Sequence, residues 1–302
     1  MPLFDQQPHQ PHQPSLWGDE GPPGTETLPL PLPAPEQRVT RVAGHPIRIG
    51  TSGFSFDDWE GAFYPRGLSP GRRLEFYARY FPTVEINSTY YGIPKPRTFS
   101  LLLEKSPGDF DFIVKAHQSM THDEVAPPEA YDDFLRAIEP LREAGRFEGV
   151  LAQFPWRFRR TPEAEAHLAD MRRRLDGLPL FVEFRHDSWM KEEVFATLAG
   201  QGIGYCCVDE PTLTGLVPPV ARLTTDVAYV RFHGRNAVNW WGHQGDRYDY
   251  DYRPEELKEW QEKIRELAER AKKTYVFFNN CHAGQAARNA RLMMDMMQGD
   301  LR

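Results

Sequence analysis

The stretch LFVEFRHDSW, residues 180–189, decides how the rest of the chain is read. Its first half is a short run of apolar, β-branched and aromatic residues of the kind that fills a strand. Yet Glu183 and Arg185 stand two apart within it, and a period of two puts both on one face. Strands buried on both faces normally read as near-continuous apolar runs. Two opposite charges on such a face mark either an ion pair that fixes register or a place where binding or chemistry happens.

Working outward, seven other segments share this character: IRIGTS (47–52), TVEINS (83–88), FDFIVKAH (110–117), GVLAQFP (149–155), GIGYCCVD (202–209), VAYVRFHG (227–234) and TYVFFNN (274–280). Most are separated by amphipathic helical patterns, such as PPEAYDDFLRAIEPLREAG (127–145) and RPEELKEWQEKIRELAERAKK (253–273), which open on proline and acidic residues as helix starts do. The strand starts recur at roughly the thirty-residue spacing of a βαβ unit. Eight strands with about seven helices over roughly 255 residues predict an α/β fold, a (β/α)₈ barrel of the TIM type, typically about 250 residues long. A doubly wound sheet is the alternative, weakened because no G-x-G-x-x-G follows the first strand. Residues 210–226, with three prolines, read as a loop.

Residues 1–44 differ in composition, rich in Pro and Gln, and predict a disordered or extended tail before a barrel domain at 45–302. His9 and His12 belong to this polar tail. An extended Pro-rich segment can dock in an aromatic groove, so the tail is a candidate for recruiting a protein partner. With 36 basic and 43 acidic residues the formal charge is -7, which excludes a protein held on nucleic acid by its overall field. Three cysteines, Cys206, Cys207 and Cys281, form no C-x-x-C and fit a reducing compartment. No apolar run reaches the length of a membrane span, and the first residues lack a secretory signal's apolar core. A cytoplasmic protein with no membrane association is expected.

The period-two pairing of 183 and 185 recurs as Glu85 with Asn87, Lys115 with His117, and Arg231 with His233. Gln153, Asp209, Asn279 and Asn280 end three further strands. In a barrel these strand ends form the C-terminal face, where active sites lie. Several buried ion pairs in one place are poorly explained by stability alone, since such pairs often only break even against apolar packing. For acid–base work Glu183 is the favoured carboxylate, with His233 or His117 as proton carrier and Glu85 and Asp209 in support. Neighbouring arginines would hold Glu183 ionised, as base or orienter and not acid.

Three features bear on the ligand. NNCHAGQAARNARL (279–292) places Asn279, Asn280 and Gly284 before a helix whose free N–H groups could hold phosphate, with Arg231 and Arg235 completing the pocket and Lys115, Arg185, Asn87 and Gln153 lining it. The connection GRNAVNWWGHQGDRYDYDYR (234–253) exceeds the usual length of a strand-to-helix loop; Trp240, Trp241, Tyr248, Tyr250 and Tyr252 make it a candidate lid or stacking wall. Glu85, His117, Glu183, Asp209 and His233 are residue types that ligate zinc or manganese, but Lys115, Arg185 and Arg231 share the space, so a divalent metal is not favoured. No other cofactor is indicated. Ser52 lacks a nucleophile elbow, and Cys206 and Cys207 read as buried small apolar residues.

The segments IGTSGFSFDDWEGAFYP, FPTVEINSTYYGIP, FIVKAHQSMTH, AQFP, VEFRHDSW, YVRFHGRN and FFNNCHAGQAARNA, in this order, resemble the YecE-like family, a domain-of-unknown-function family, over residues 45–299. The resemblance implies a barrel and a bacterial or archaeal-type cytoplasmic protein, and brings no established reaction. A likeness of some members to metal-dependent endonucleases would imply DNA, but Lys115, Arg185 and Arg231 stand where ligands would be expected.

The functional expectation is an enzyme binding a small-molecule or nucleic-acid-like anionic ligand, with phosphoester hydrolysis as its chemistry. One alternative is a glycoside hydrolase with Glu85 and Glu183 as paired carboxylates and the tryptophans as sugar platforms. The other is a non-catalytic scaffold.

Overall fold

The computed structural model describes residues 38–123, 127–242 and 246–299. The expected tail, His9 and His12 included, lies outside the described residues up to position 37. Its predicted boundary at 44 falls within the folded part, because β1 (Val39–Val42) and β2 (His45–Thr51) form an antiparallel hairpin. Seven further strands follow: β3 (Thr83–Ile86), β4 (Asp111–Lys115), β5 (Phe147–Gln153), β6 (Leu180–Glu183), β7 (Ile203–Asp209), β8 (Val227–Phe232) and β9 (Lys273–Phe278). All eight predicted strand segments are strands, and residues 210–226 carry neither helix nor strand.

The ladder corrects the predicted architecture. The nine strands make one mixed sheet in the order β1-β2-β9-β8-β7-β6-β5-β4-β3, curled so that its ends approach without closing as an eight-fold parallel barrel. The class is α/β as expected, but the closed (β/α)₈ TIM-type ring is not formed. Two features explain the open seam. Strand β1 lies antiparallel along β2, pairing Val39 with Arg48 and Val42 with His45. Further along, the Tyr77 hydroxyl stands between β2 and β3: it accepts from Thr51 N–H at 2.8 Å and donates to the Thr83 carbonyl at 3.1 Å. The strands come close there, since a Cβ on Gly50 would lie 2.3 Å from the Thr83 oxygen. Among the described residues a single bridge, Ser52 with Glu85, joins the end of β2 to β3. Neighbouring strands otherwise follow chain order, which is not the doubly wound arrangement.

The helices α1 (Arg73–Tyr77), α2 (Pro96–Glu104), α3 (Gln118–Thr121), α4 (Pro128–Glu143), α5 (Pro162–Arg174), α6 (Glu192–Gly200), α7 (Pro254–Arg270) and α8 (Gln285–Gly299) cover the outer face because the apolar residues of the longer ones repeat at helical spacing. In α4 the buried set is Tyr131, Phe134, Ala137, Ile138 and Leu141; in α7 it includes Leu257, Trp260, Ile264 and Leu267. Both start with proline at the first position, and α7 is capped by Glu256, which accepts from Arg253 N–H at 2.9 Å. The inner face is layered. At the amino ends of the strands, Asp111 pairs with Arg48, whose Nε lies 2.9 Å away, and accepts from Tyr275. Above them lie the rings of Phe181, Tyr229, Tyr275 and Phe277. A charged layer follows toward the carboxyl ends.

Candidate functional site

The charged layer is built around Arg231 of β8, whose two terminal nitrogens reach different strands. Nη1 donates to Glu183 Oε2 at 2.5 Å and Nη2 to Glu85 Oε1 at 2.7 Å, with Ser52 Oγ also within 3.3 Å of Nη2. Tyr229, two residues earlier on the same face, donates its hydroxyl to the other Glu85 oxygen at 2.5 Å. Glu183 then faces Arg185, whose Nε lies 2.6 Å from Oε1, and His233, whose Nε2 lies 3.2 Å from the same oxygen. Arg185 continues the chain to Glu210 Oε2 at 3.0 Å, and Glu210 accepts the Val217 N–H at 3.1 Å. The predicted members Glu85, Glu183, Arg185, Arg231 and His233 thus meet in one buried network. Asn279 joins it through Nδ2, 3.1 Å from His233 Nδ1.

Lys115 and Gln153 stand on the same inner wall. Lys115 Nζ donates to Gln153 Oε1 at 2.9 Å and lies 4.4 Å from the centre of the Tyr90 ring. A short turn (Ser88–Tyr90) holds that ring in place, docked by Thr89 Oγ1 on the Lys115 carbonyl at 2.6 Å. The β3–β4 register, with Ile86 opposite Val114, makes Asn87 the residue that follows β3 as Lys115 ends β4. Asn87 is buried, and neither its amide nitrogen nor its amide oxygen has a hydrogen-bond partner. An orphaned buried amide is costly, so Asn87 is the least expected residue of the layer.

Burial and charge set the protonation states. Desolvation pushes the Glu183 carboxyl up, but Arg185, Arg231 and His233 together hold it well below the usual range. Lys115 is lowered to about 7, first by desolvation and then by Arg231, against the opposing pull of Glu183 and Glu85. Glu210 is raised to about 7 by burial, which Arg185 only partly offsets. Desolvation, with help from Arg185, depresses His233 to about 3, so it is a neutral imidazole here. Two arginines facing buried carboxylates make the layer largely self-neutralising.

Other predicted residues do different work. Asp209 accepts from Arg235, from Tyr252 at 2.7 Å and from Trp260 at 2.6 Å, so it is a strut that ties β7 to α7 and the preceding loop. Arg235, expected at an anion pocket, lies between Asp209 and Glu259. Tyr252 also accepts the Gly234 N–H at 2.8 Å and is a fastening, not a stacking face. His117 caps the short helix Gln118–Thr121 through Ser119, away from Glu183. Asn280 donates to the Tyr250 carbonyl and to Asn289. Gly284, at φ +74°, packs against Ala62 in the turn before α8 (Gln285–Gly299), and the adjacent Ala283 N–H is taken by Asp58 at 2.7 Å. A carboxylate therefore sits where phosphate was expected.

The aromatic loop divides. Trp240 is buried with its ring 5.9 Å from the Arg185 guanidinium, and Tyr248 packs 6.4 Å from His233, so these two roof the layer. Tyr250 donates to Glu256 from the side. Trp241 is 39% exposed and meets Trp156 edge-on at 5.5 Å, forming a rim. Sequence reasoning missed Glu210, Tyr229 and Tyr90. Tyr229 follows the same period of two below Arg231 and could have been found from it. Glu210 and Cys206, the latter buried as expected with its thiol 3.7 Å from Glu183 Oε2, fall on the period opposite to that of Asp209, so taking Asp209 as the inward member of its strand hid Glu210. Among the described residues no group of three His, Cys, Asp or Glu side chains is placed to hold a metal ion. No helix of the described residues is long and apolar enough to cross a membrane.

A curled α/β sheet whose carboxyl edge encloses a paired-charge layer under an aromatic roof defines the class. Residues 48–301 match the DUF72 family, described as "Protein of unknown function DUF72", and the chain belongs to that family. It is 32% identical over 269 residues to the UPF0759 protein YunF of Bacillus subtilis, covering 83% of this chain and 94% of that one. Among solved structures, a DUF72 family protein of Thermotoga maritima is similar at 46% identity and a TM-score of 0.79, over 83% of this chain and 99% of that one. Another, from Enterococcus faecalis, is similar at 28% identity and 0.73, over 84% and 98%.

Proposed function

We propose that this chain is an enzyme that binds a small polar ligand between Asn87, Lys115 and Arg185, beneath Trp240, and moves protons on it. The observation that carries the reading is Asn87, a buried amide with a donor and an acceptor both unused, at the end of the strand next to that of Lys115, whose amine is lowered to about 7. Perturbed groups in a walled polar space are where acid–base chemistry is usually found. Lys115 is the proton carrier. Glu183, held ionised, orients Arg185, Arg231 and His233.

The choice of ligand follows from charge. Arg231 and Arg235 each lie between carboxylates, and Asp58 occupies the turn before α8, so a doubly charged phosphate has little uncompensated positive charge to meet. Glu85 and Glu183 are buried and joined through one guanidinium, which leaves neither presented to a sugar. A compact molecule with hydroxyl and carbonyl groups suits Asn87 and Lys115 better than a phosphoester or a glycan.

The test is a thermal-shift screen of the full chain with small hydroxy-carbonyl compounds, neutral sugars, phosphorylated metabolites and short oligonucleotides. A ligand at a hundred times its Kd adds about 2.7 kcal/mol, which is readily seen. Hydroxy-carbonyl compounds should stabilise the wild type and not Asn87→Leu. Stabilisation by any class that is equal in both proteins would remove the ligand from this site.

A further inference from the structure

We infer that Arg247 is the anion-binding residue of the site proposed above: its guanidinium receives a carboxylate of the ligand, which makes the substrate class small hydroxy and keto acids. The inference rests on that site and specifies what enters it.

The way Arg247 is held carries the argument. Its guanidinium carbon lies 5.5 Å from the centre of the Trp240 ring and 6.0 Å from that of Tyr248, the two residues that roof the charged layer. Trp240 also meets the Arg185 guanidinium, at 5.9 Å, so the two arginines share one ring. They differ in charge balance. Arg185 lies between Glu183 and Glu210, whereas the contacts of Arg247 among the described residues are with rings. Its Nε is buried without a hydrogen-bond partner. Arg48, Arg73 and Arg231 also leave Nε without a hydrogen bond, but each turns a terminal nitrogen onto a carboxylate or a carbonyl. Of the carboxylates that follow in the same loop, Asp249 accepts from Gln285, and Asp251 from Arg288 and Asn289.

An aromatic ring takes the face of a guanidinium and leaves its in-plane N–H groups unused. Nε–H and the neighbouring Nη–H form an edge onto which a carboxylate docks through two parallel hydrogen bonds. A buried donor left unpaired on that edge is costly, and a carboxylate removes the cost. It brings one negative charge, which matches one uncompensated cation. A hydroxyl or carbonyl next to the carboxylate is what Asn87 can meet, because its amide both donates and accepts. A second stacked arginine, Arg159, lies 5.0 Å from the centre of the Trp156 ring, which Trp241 meets edge-on. Arg159 is exposed on the rim, where its charge attracts anions without fixing their orientation.

The experiment is calorimetric titration of the full chain at pH 7 and low ionic strength with lactate, glycolate and pyruvate, each against its neutral amide. The acids should bind about tenfold or more tightly than the amides, the difference expected for hydrogen bonds between charged groups. Arg247→Gln should erase that preference. Arg247→Lys, which keeps the charge and loses the bidentate edge, should retain only part of it, and the two variants together prevent one folding failure from deciding the result. Arg159→Gln should leave the preference in place. Equal binding of acid and amide by the wild type overturns the inference, as does the absence of binding by all three acids. A loss that is equal in Arg159→Gln and Arg247→Gln also overturns it, by assigning the preference to the general field of the rim. Asn87→Leu separates this inference from the site on which it rests. Acids and amides that bind the wild type equally, and are both lost in Asn87→Leu, would keep the site and sink the carboxylate. An acid preference unchanged in Asn87→Leu and absent in Arg247→Gln would keep Arg247 as the anion-binding residue and sink its pairing with Asn87.

Discussion

Replacing Asn87 by leucine should make the free protein more stable while removing ligand binding. Asn87 is 3% exposed, and both polar atoms of its side chain lack partners. An unpaired buried amide costs about 1–3 kcal/mol on mutational scales. Leucine is similar in size, and the backbone at φ -98° and ψ -16° accepts it without strain. A gain of about 1–2 kcal/mol is expected after a small packing loss. For a chain of this size that raises Tm by about 2–8 °C, measurable by circular dichroism or scanning calorimetry. Asn87→Ala, which also removes the orphan but leaves a gap, should lie between leucine and the wild type. An unchanged or lower Tm for Asn87→Leu would refute the reasoning, because it would mean that the amide is already satisfied and is not waiting for a ligand.

Arg231→Met leaves Glu85 and Glu183 buried without their shared cation and should cost about 3–5 kcal/mol in urea unfolding; a loss below 1 kcal/mol would mean that the pair is not energetically coupled. Tyr77→Phe removes the hydroxyl that joins Thr51 N–H to the Thr83 carbonyl, so about 1–3 kcal/mol should be lost, with faster amide exchange at Thr51 than in the other strands. Lys115 has a folded pKa of about 7, below its unfolded value, so the unfolded chain binds more protons between pH 7 and about 10.5. Its penalty is full below pH 7 and fades as pH rises through that window; the stability of Lys115→Met relative to the wild type should therefore fall from pH 7 to 10. Glu210, raised to about 7, has the opposite slope: stability should drop between about pH 4.5 and 7, and Glu210→Gln should flatten that drop in urea unfolding.

The strands were legible because their apolar runs are bounded by turn residues and spaced like βαβ units, and eight of the nine were found that way. β1 escaped because VTRV is only four residues long and abuts a Pro-rich stretch, so composition assigned it to the tail. Barrel closure was misjudged for a different reason. Closure depends on what lies between β2 and β3, and the wedge there is Tyr77, on a helix (Arg73–Tyr77) whose sequence shows nothing of its hydroxyl's destination. The polar pairs were legible through their period of two, which brought Glu85, Arg185, Arg231 and His233 into one list with Glu183. Their pairing was not, because which carboxylate meets which guanidinium is decided across strands. Asp209 and Arg235 show the limit most clearly: both sit at strand ends as the pattern requires, yet each is used by α7, a contact that only packing sets.

Strand β2 has a consequence for how the chain comes into being. Its parallel partner is β9, Ile47 standing opposite Thr274, so the neighbour that must cover this edge is synthesised more than two hundred residues later. A chain leaving the ribosome therefore holds a completed β1–β2 hairpin with one bare edge until β9 emerges. The intervening strands pair in chain order and can assemble as they emerge, whereas β2 must wait for the last strand before it is enclosed. Emergence of β9 is when this sheet acquires its final shape, and a chain that stops short of residue 273 would keep every strand but the one that pairs with β2.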